Sequence, residues 1–272
     1  MRIKLISVLM GMVVLTGAFA QSRVANQSKT PYTIEVGGST SVTPLMELLA
    51  AEYQKLNPHI KININGTGSG DGIKNAGVLY QIGMSSRELT PSEQGKGLKE
   101  VTIAIDGIAV IVHRNNLIRN LTIEQIRDIY TGAVTDWSQV SGGSKKGRIA
   151  VISREEGSGT RGAFEELVGF QGKLLAGANE STSTGAIKAG IAQNADAIGY
   201  ISLGSLDNTI RTVSVNGVVA NNNNVKKGTY KISRPFIILT GSNVHTETTA
   251  FINWILGKAG QNIVKTSWIP VR

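Results

Sequence analysis

A strand, a loop of Gly, Ser and Thr, and then a helix start recur three times in this 272-residue chain. The loops fall at residues 38–41, 68–72 and 157–160, with a weaker fourth case at 85–87. Helix starts leave backbone N–H groups unpaired and carry the positive end of the helix dipole, so each is a ready anion site. One Ser or Thr at a helix start is most often only a cap, and one Gly-rich turn is usually only a turn. Several in one chain of alternating strands and helices mean more, because sheet topology tends to gather them at one carboxyl edge. The third loop carries an extra signal. Arg154 stands just upstream of it in SREEGSGTRGAF (153–164), where a planar guanidinium can meet two oxygens of a tetrahedral anion.

The periodicity around these loops predicts strands at 32–36, 60–64, 81–84, 149–152, 197–201 and 235–239. It predicts helices at 46–56, 122–130, 162–168, 185–193, 246–255 and 260–265, with a further helix start near Thr90-Pro91; the sheets they flank are expected to be mixed and mostly parallel. The apolar run 101–112 reads as strand broken at Asp106-Gly107, and Asn221–Asn224 as a polar loop or a helix start. Strands alternating with helices imply an α/β fold with mostly parallel sheets. The length leaves room for two lobes, each with its own core.

Composition narrows the function classes. Hydrophobic residues at 41% and a mean hydropathy of zero fit a soluble globular protein. Arg2 and Lys4, an apolar run at 5–15 and Ala18-Phe19-Ala20 form a secretory leader pattern, predicting cleavage after Ala20 and a linker at 21–31. No later segment is long and apolar enough to span a bilayer, and no cysteine is present to carry a disulfide, a thiolate metal site or a lipid. The expected location is therefore a periplasm, unanchored. His59, His113 and His245 are widely spaced, which argues against a histidine metal site. The formal net charge is +9, or +7 without Arg2 and Lys4, and suits an anionic ligand. Lys and Arg are dispersed, with no aromatic-rich RNA-binding signature, so nucleic acid is not the expected partner.

The nucleotide-binding motif G-x-x-x-x-G-K-[ST] is missing. Neither Ser69 nor Ser158 fits G-x-S-x-G, and no histidine is marked as a base, which weakens a secreted phosphoester hydrolase. A receptor for a small oxyanion remains, with phosphate, sulfate, molybdate and arsenate all open, and no cofactor is expected.

Six segments, in order, carry a resemblance: GGSTSVTP (37–44), NGTGSGDGI (65–73), IGMSSREL (82–89), DGIAVIV (106–112), SREEGSGTRGAFEEL (153–167) and AIGYISLG (197–204). With them the chain, from about Tyr32 onward, resembles the phosphate-binding proteins of ABC-type phosphate importers, a PstS-like family. The resemblance implies a periplasmic binding protein type II-like fold, two α/β lobes joined by a two-strand hinge. It implies lobe 1 at 32–106 plus 234–272 and lobe 2 at 107–233. The implied role is a monomeric receptor, not an enzyme, that delivers phosphate to a membrane permease and ATPase.

The implied ligands are Ser39, Thr40 and Ser41 from the first loop, Ser69 and Gly70 from the second, and Ser86 and Arg87. From the other lobe come Arg154, Ser158, Gly159 and Thr160, with Glu156 expected to pair with Arg154 and hold its fork. Arg161 is expected at the surface or behind the site. Some members of the family place an aspartate, which accepts the proton of hydrogen phosphate and repels sulfate, where this chain has Ser86. Asp71 or Asp106 is the expected replacement.

Overall fold

The computed structural model describes residues 30–140 and 145–272, and residues 31–272 form one compact unit. The predicted leader and most of the linker lie outside the described residues. In chain order the elements are β1 (Tyr32–Gly38), α1 (Thr43–Leu56), β2 (Ile60–Gly66), α2 (Ser69–Asn75), β3 (Ile82–Ser85) and β4 (Lys99–His113). Then follow β5 (Asn120–Leu121), α3 (Ile123–Thr131), β6 (Ala150–Arg154), α4 (Gly159–Val168), β7 (Asn179–Ser181), α5 (Thr184–Gln193) and β8 (Ala197–Ser202). The chain ends with β9 (Ile210–Thr212), β10 (Ser214–Val215), α6 (Asn222–Lys226), β11 (Ser233–Thr240), α7 (Thr246–Leu256), α8 (Lys258–Ser267) and β12 (Ile269–Pro270).

Local chemistry explains the helices. Pro44 sits in the first turn of α1, and Leu45, Met46, Leu49, Ala50 and Tyr53 form its buried stripe. Each of the large side chains in that stripe contributes about 1.5–3 kcal/mol by leaving water. Thr122 and Gln125 make a reciprocal capping box on α3, and Gly132 in the left-handed conformation ends it. Asn221 caps the short α6 by accepting from the Asn224 N–H, so the asparagine run is a helix start.

The main sheet runs β2-β1-β3-β11-β4-β8-β6-β7. Pairs among β1, β2 and β3 are parallel, as are β8-β6 and β6-β7. Between them β4 and β11 cross antiparallel to their neighbours. The sheet is thus mixed, less parallel than the strand-helix alternation suggests. The first half of β4 pairs with β11 as far as Gly107, and from Ile108 it pairs with β8. One buried apolar cluster takes residues from Ile34 to Ala104 and from Phe236 to Trp268. Another takes residues from Ile108 to Ile232, with Ile269. The chain passes between these clusters within β4 and at the start of β11.

Three expectations are corrected here. The expected break at Asp106-Gly107 does not end the strand; Gly107 stays in β4 because Leu203 and Val225 pack where its side chain would be, a Cβ there falling 2.3 Å from Leu203 Cδ1. Near Thr90-Pro91 the chain makes turns instead of a helix, with Gly95 and Gly97 at φ of 76° and 74°. The third helix start lies earlier than predicted, at Gly159.

Candidate functional site: buried hydroxyls around two guanidiniums

The first loop leaves β1 at Gly38, whose φ of 134° and lack of a side chain let Ser39 N–H reach Met84 C=O at 2.9 Å. A Cβ on Gly38 would lie 2.3 Å from that same oxygen, so the glycine is required. Gly68 N–H donates to Gly38 C=O at 2.8 Å, setting the second loop beside the first. Ser69 Oγ accepts from Ser86 N–H at 3.1 Å and lies 3.3 Å from Ser86 Oγ. Ser39 Oγ donates to Ser86 Oγ at 2.8 Å. Ser39, Ser41, Ser69 and Ser86 are all buried, while Thr40 is half-buried.

Across the crossing strands, the loop after β6 meets this group. Ser158 caps α4 by accepting from Arg161 N–H at 3.3 Å. Thr160, one residue into the helix after Gly159, turns inward: its Oγ1 is 2.7 Å from Ser41 Oγ. Gly159 packs against the second loop, and a Cβ there would sit 2.2 Å from Ser69 Oγ and 2.9 Å from Ser86 Oγ. Gly70 N–H donates to Gly157 C=O at 3.0 Å, so that donor joins the two loops directly.

Thr184, at the start of α5, belongs to the cluster and was not among the sequence-derived candidates. Its Oγ1 is 3.1 Å from Ser41 Oγ and 3.3 Å from Thr40 Oγ1. Its neighbour Ser183 supplies the helix cap, which leaves the Thr184 hydroxyl to point elsewhere.

Arg154, at the end of β6, is 2% exposed. Its Nε and Nη2 donate to Glu155 at 2.7 Å each, and Nε also to Ser181 C=O at 3.2 Å. Glu155, not Glu156, is therefore the partner. Ser158 N–H closes a turn on Glu155 C=O, putting Glu156 and Gly157 at its exposed corner while Glu155 folds back over the guanidinium. Arg154 N–H donates to Tyr200 Oη, whose phenol burial pushes up to about 12, so it stays neutral.

Arg87 is placed differently from the expectation. Ser85 Oγ turns the loop by bonding both Arg87 C=O and Arg87 N–H, and the Arg87 guanidinium makes a two-pronged bond to Glu93 at 2.7 and 2.8 Å. It faces an outer cleft shared with Glu156, Arg161 and Glu165. Arg161 donates to Glu165, Glu180 and the Arg154 carbonyl, which places it behind the site.

A second buried guanidinium lies on the other side. Arg234, on β11, is 4% exposed, donates to Ser86 C=O and pairs with Asp106 at 3.2 Å. The Ser86 loop is thus held from below by a charged side chain. Asp71, one of the two expected acceptors, takes hydrogen bonds from Thr67, Asn75 and Tyr80. Burial pushes its pKa up, but these bonds outweigh it and leave the carboxyl below its ordinary value.

The histidines sit elsewhere. His59 lies against Glu247, His245 stacks on Tyr32, and His113 accepts from Asn115 N–H. Among the described residues no group of three or more His, Cys, Asp or Glu could hold a metal, and no helix is long and apolar enough to cross a membrane.

Hydroxyls that can donate, three helix starts and a buried guanidinium, drawn from both sides of the crossing strands, make a receptor-type site for a small anion. Residues 24–259 match the family described as the PBP superfamily domain, and the chain belongs to it and, within it, to the phosphate-binding proteins of ABC transporters. A phosphate ABC transporter substrate-binding protein of Clostridium perfringens, solved with bound phosphate, is 45% identical over 89% of this chain and 100% of its own, with a TM-score of 0.85. An ABC-type phosphate transport receptor of Vibrio cholerae is 34% identical, with 88% and 100% covered and a TM-score of 0.73. Phosphate-binding protein PstS of Borreliella burgdorferi is 29% identical over 85% of this chain and 87% of its length. The family is one of substrate-binding proteins, not enzymes.

Proposed function

We propose that this chain captures inorganic phosphate between two lobes that meet at the β4–β11 crossing, and delivers it to an ABC permease and ATPase. One observation carries the reading: the Thr160 and Thr184 hydroxyls lie 2.7 and 3.1 Å from the Ser41 hydroxyl, which comes from a loop on the other side. The nearby Arg154 charge is buried, and the named relatives bind phosphate. Oxygens of a tetrahedral anion replace hydroxyl–hydroxyl contacts with hydroxyl–anion ones, which are stronger because the acceptor is charged. An anion that touches both lobes stabilises their approach, so binding and closure are linked.

The two apolar clusters support lobe boundaries at 32–106 plus 234–272 and at 107–233, with Ile269 reaching across to the second cluster. The direct ligands are Ser39, Thr40, Ser41, Ser69, Ser86, Arg154, Ser158, Gly159, Thr160 and Thr184. Gly70 N–H and Arg87 serve instead to join the loops and to hold Glu93. The leader pattern supports export to the periplasm, and the receptor acts as a monomer. Equilibrium dialysis with radiolabelled phosphate tests the reading, one bound phosphate per chain being expected; no retention above buffer would end it.

A further inference from the structure

Arg234 and Asp106 face each other in the β11–β4 ladder, at the point where β4 changes partner. Both are buried, at 4% and 1% exposure. Asp106 Oδ1 accepts from Ser202 Oγ at 2.8 Å, and Oδ2 from Arg234 Nη2 at 3.2 Å. Arg234 Nη1 donates to Ser86 C=O at 3.2 Å, while its Nε is buried without a partner. The groups acting on this pair are Arg154 from β6, Tyr200 and Ser202 from β8, the Gly204 N–H just after β8, and the Phe236 ring of β11, 5.4 Å from the Arg234 guanidinium.

Charge accounting gives the pair a task. Each guanidinium has its own carboxylate, Glu155 for Arg154 and Asp106 for Arg234. Glu155 is 26% exposed and partly solvated, whereas Asp106 has no such relief. A divalent anion arriving beside them adds negative charge to a buried region that is already balanced. The least costly adjustment is to neutralise the fully buried carboxylate.

Resting on the phosphate reading, we propose that Asp106 takes up a proton as the anion binds, freeing the Arg234 charge to act as a second countercharge alongside Arg154. The proton leaves hydronium or the buffer acid in solvent, breaking its bond there, and forms one O–H bond on Asp106; no bond of the phosphate or of another residue changes. Ser202 Oγ turns its hydroxyl and accepts from the new donor. Arg234 keeps its hold on Ser86 C=O, so the Ser86 hydroxyl stays aimed at the cluster. Asp106 thus substitutes, from behind, for a carboxylate that the site lacks at residue 86, and does so by changing its own charge instead of accepting the phosphate proton. Burial already lifts Asp106 to about 6 against the downward pull of Arg234, so uptake falls within reach of neutral pH.

The test is calorimetric titration of phosphate into native chain and Asp106→Asn at pH 6 to 7.5, each in buffers of different ionisation heat. Per phosphate bound, the native chain is expected to take up more protons than Asp106→Asn, the excess peaking at about half a proton or more near pH 6.5 and shrinking towards pH 7.5. Equal proton counts in both would overturn the inference. Should Asp106→Asn not fold, carbon-detected NMR titration of the Asp106 carboxyl in the native chain decides. Its midpoint is expected to rise by about one pH unit or more with phosphate present, and an unmoved midpoint overturns the proposal. Phosphate binding with an unmoved Asp106 defeats this inference alone, whereas no phosphate heat at any pH defeats it together with the phosphate reading.

Discussion

Ser41 Oγ and Thr160 Oγ1 lie 2.7 Å apart although 119 positions separate them in sequence. One belongs to the loop after β1 and the other to the first turn of α4, on opposite sides of the β4–β11 crossing. The contact shows that separate Gly/Ser/Thr loops form one buried surface, and it sets where substitutions should be felt.

Arg154→Ala removes a buried guanidinium and leaves Glu155 without its partner. Breaking such a pair costs about 3–5 kcal/mol, so phosphate affinity is expected to fall on the order of a hundredfold or more. Calorimetric titration measures it; near-native affinity would show that Arg154 is not the anchor.

Gly159→Ala places a methyl 2.2 Å from Ser69 Oγ and 2.9 Å from Ser86 Oγ. Alanine suits the first turn of α4, so the fold survives while the two loops are pushed apart. Overpacking of this kind costs about 1–3 kcal/mol, and phosphate binding should weaken roughly tenfold. Small-angle scattering should show a larger radius of gyration with saturating phosphate than in the native chain.

Thr184→Val keeps shape but deletes the hydroxyl that meets Ser41 and Thr40. The expected loss is about 1–2 kcal/mol, a weakening of roughly 5- to 30-fold by titration with phosphate. Unchanged binding would remove Thr184 from the site.

Arg87→Gln separates the two readings of Arg87. Hydrogen bonds from Arg87 hold Glu93 down at about 2, below its ordinary 4.5. A depressed carboxyl contributes stability above its unfolded value and loses it as pH falls from about 4.5 to about 2. The substituted chain should melt lower by roughly 2–4 °C at pH 7, converge on the native chain near pH 2, and keep phosphate affinity within about threefold. A large loss of affinity instead would make Arg87 a ligand.

Much of this was legible in the sequence because Gly, Ser and Thr at strand ends have few other uses in such density. Ser41, Ser69 and Thr160 were readable for that reason, and they do converge. Thr184 was hidden behind Ser183, an ordinary helix cap that makes the pair look like punctuation. The choice of Glu155 over Glu156 depends on which corner of a turn each occupies, which composition does not encode. Arg234 joins Asp106 across 128 residues, a pairing set by strand register. At Asp106-Gly107 a turn-forming dipeptide was overridden by tertiary packing of Leu203 and Val225 on the glycine.

Competitive calorimetry on the purified chain, phosphate against sulfate at pH 7.5, tests the central claim most directly. The account predicts one phosphate per chain and, in line with the phosphate printed for its relatives, tighter binding of phosphate than of sulfate. Sulfate binding as tightly as phosphate, or no phosphate heat, would contradict it.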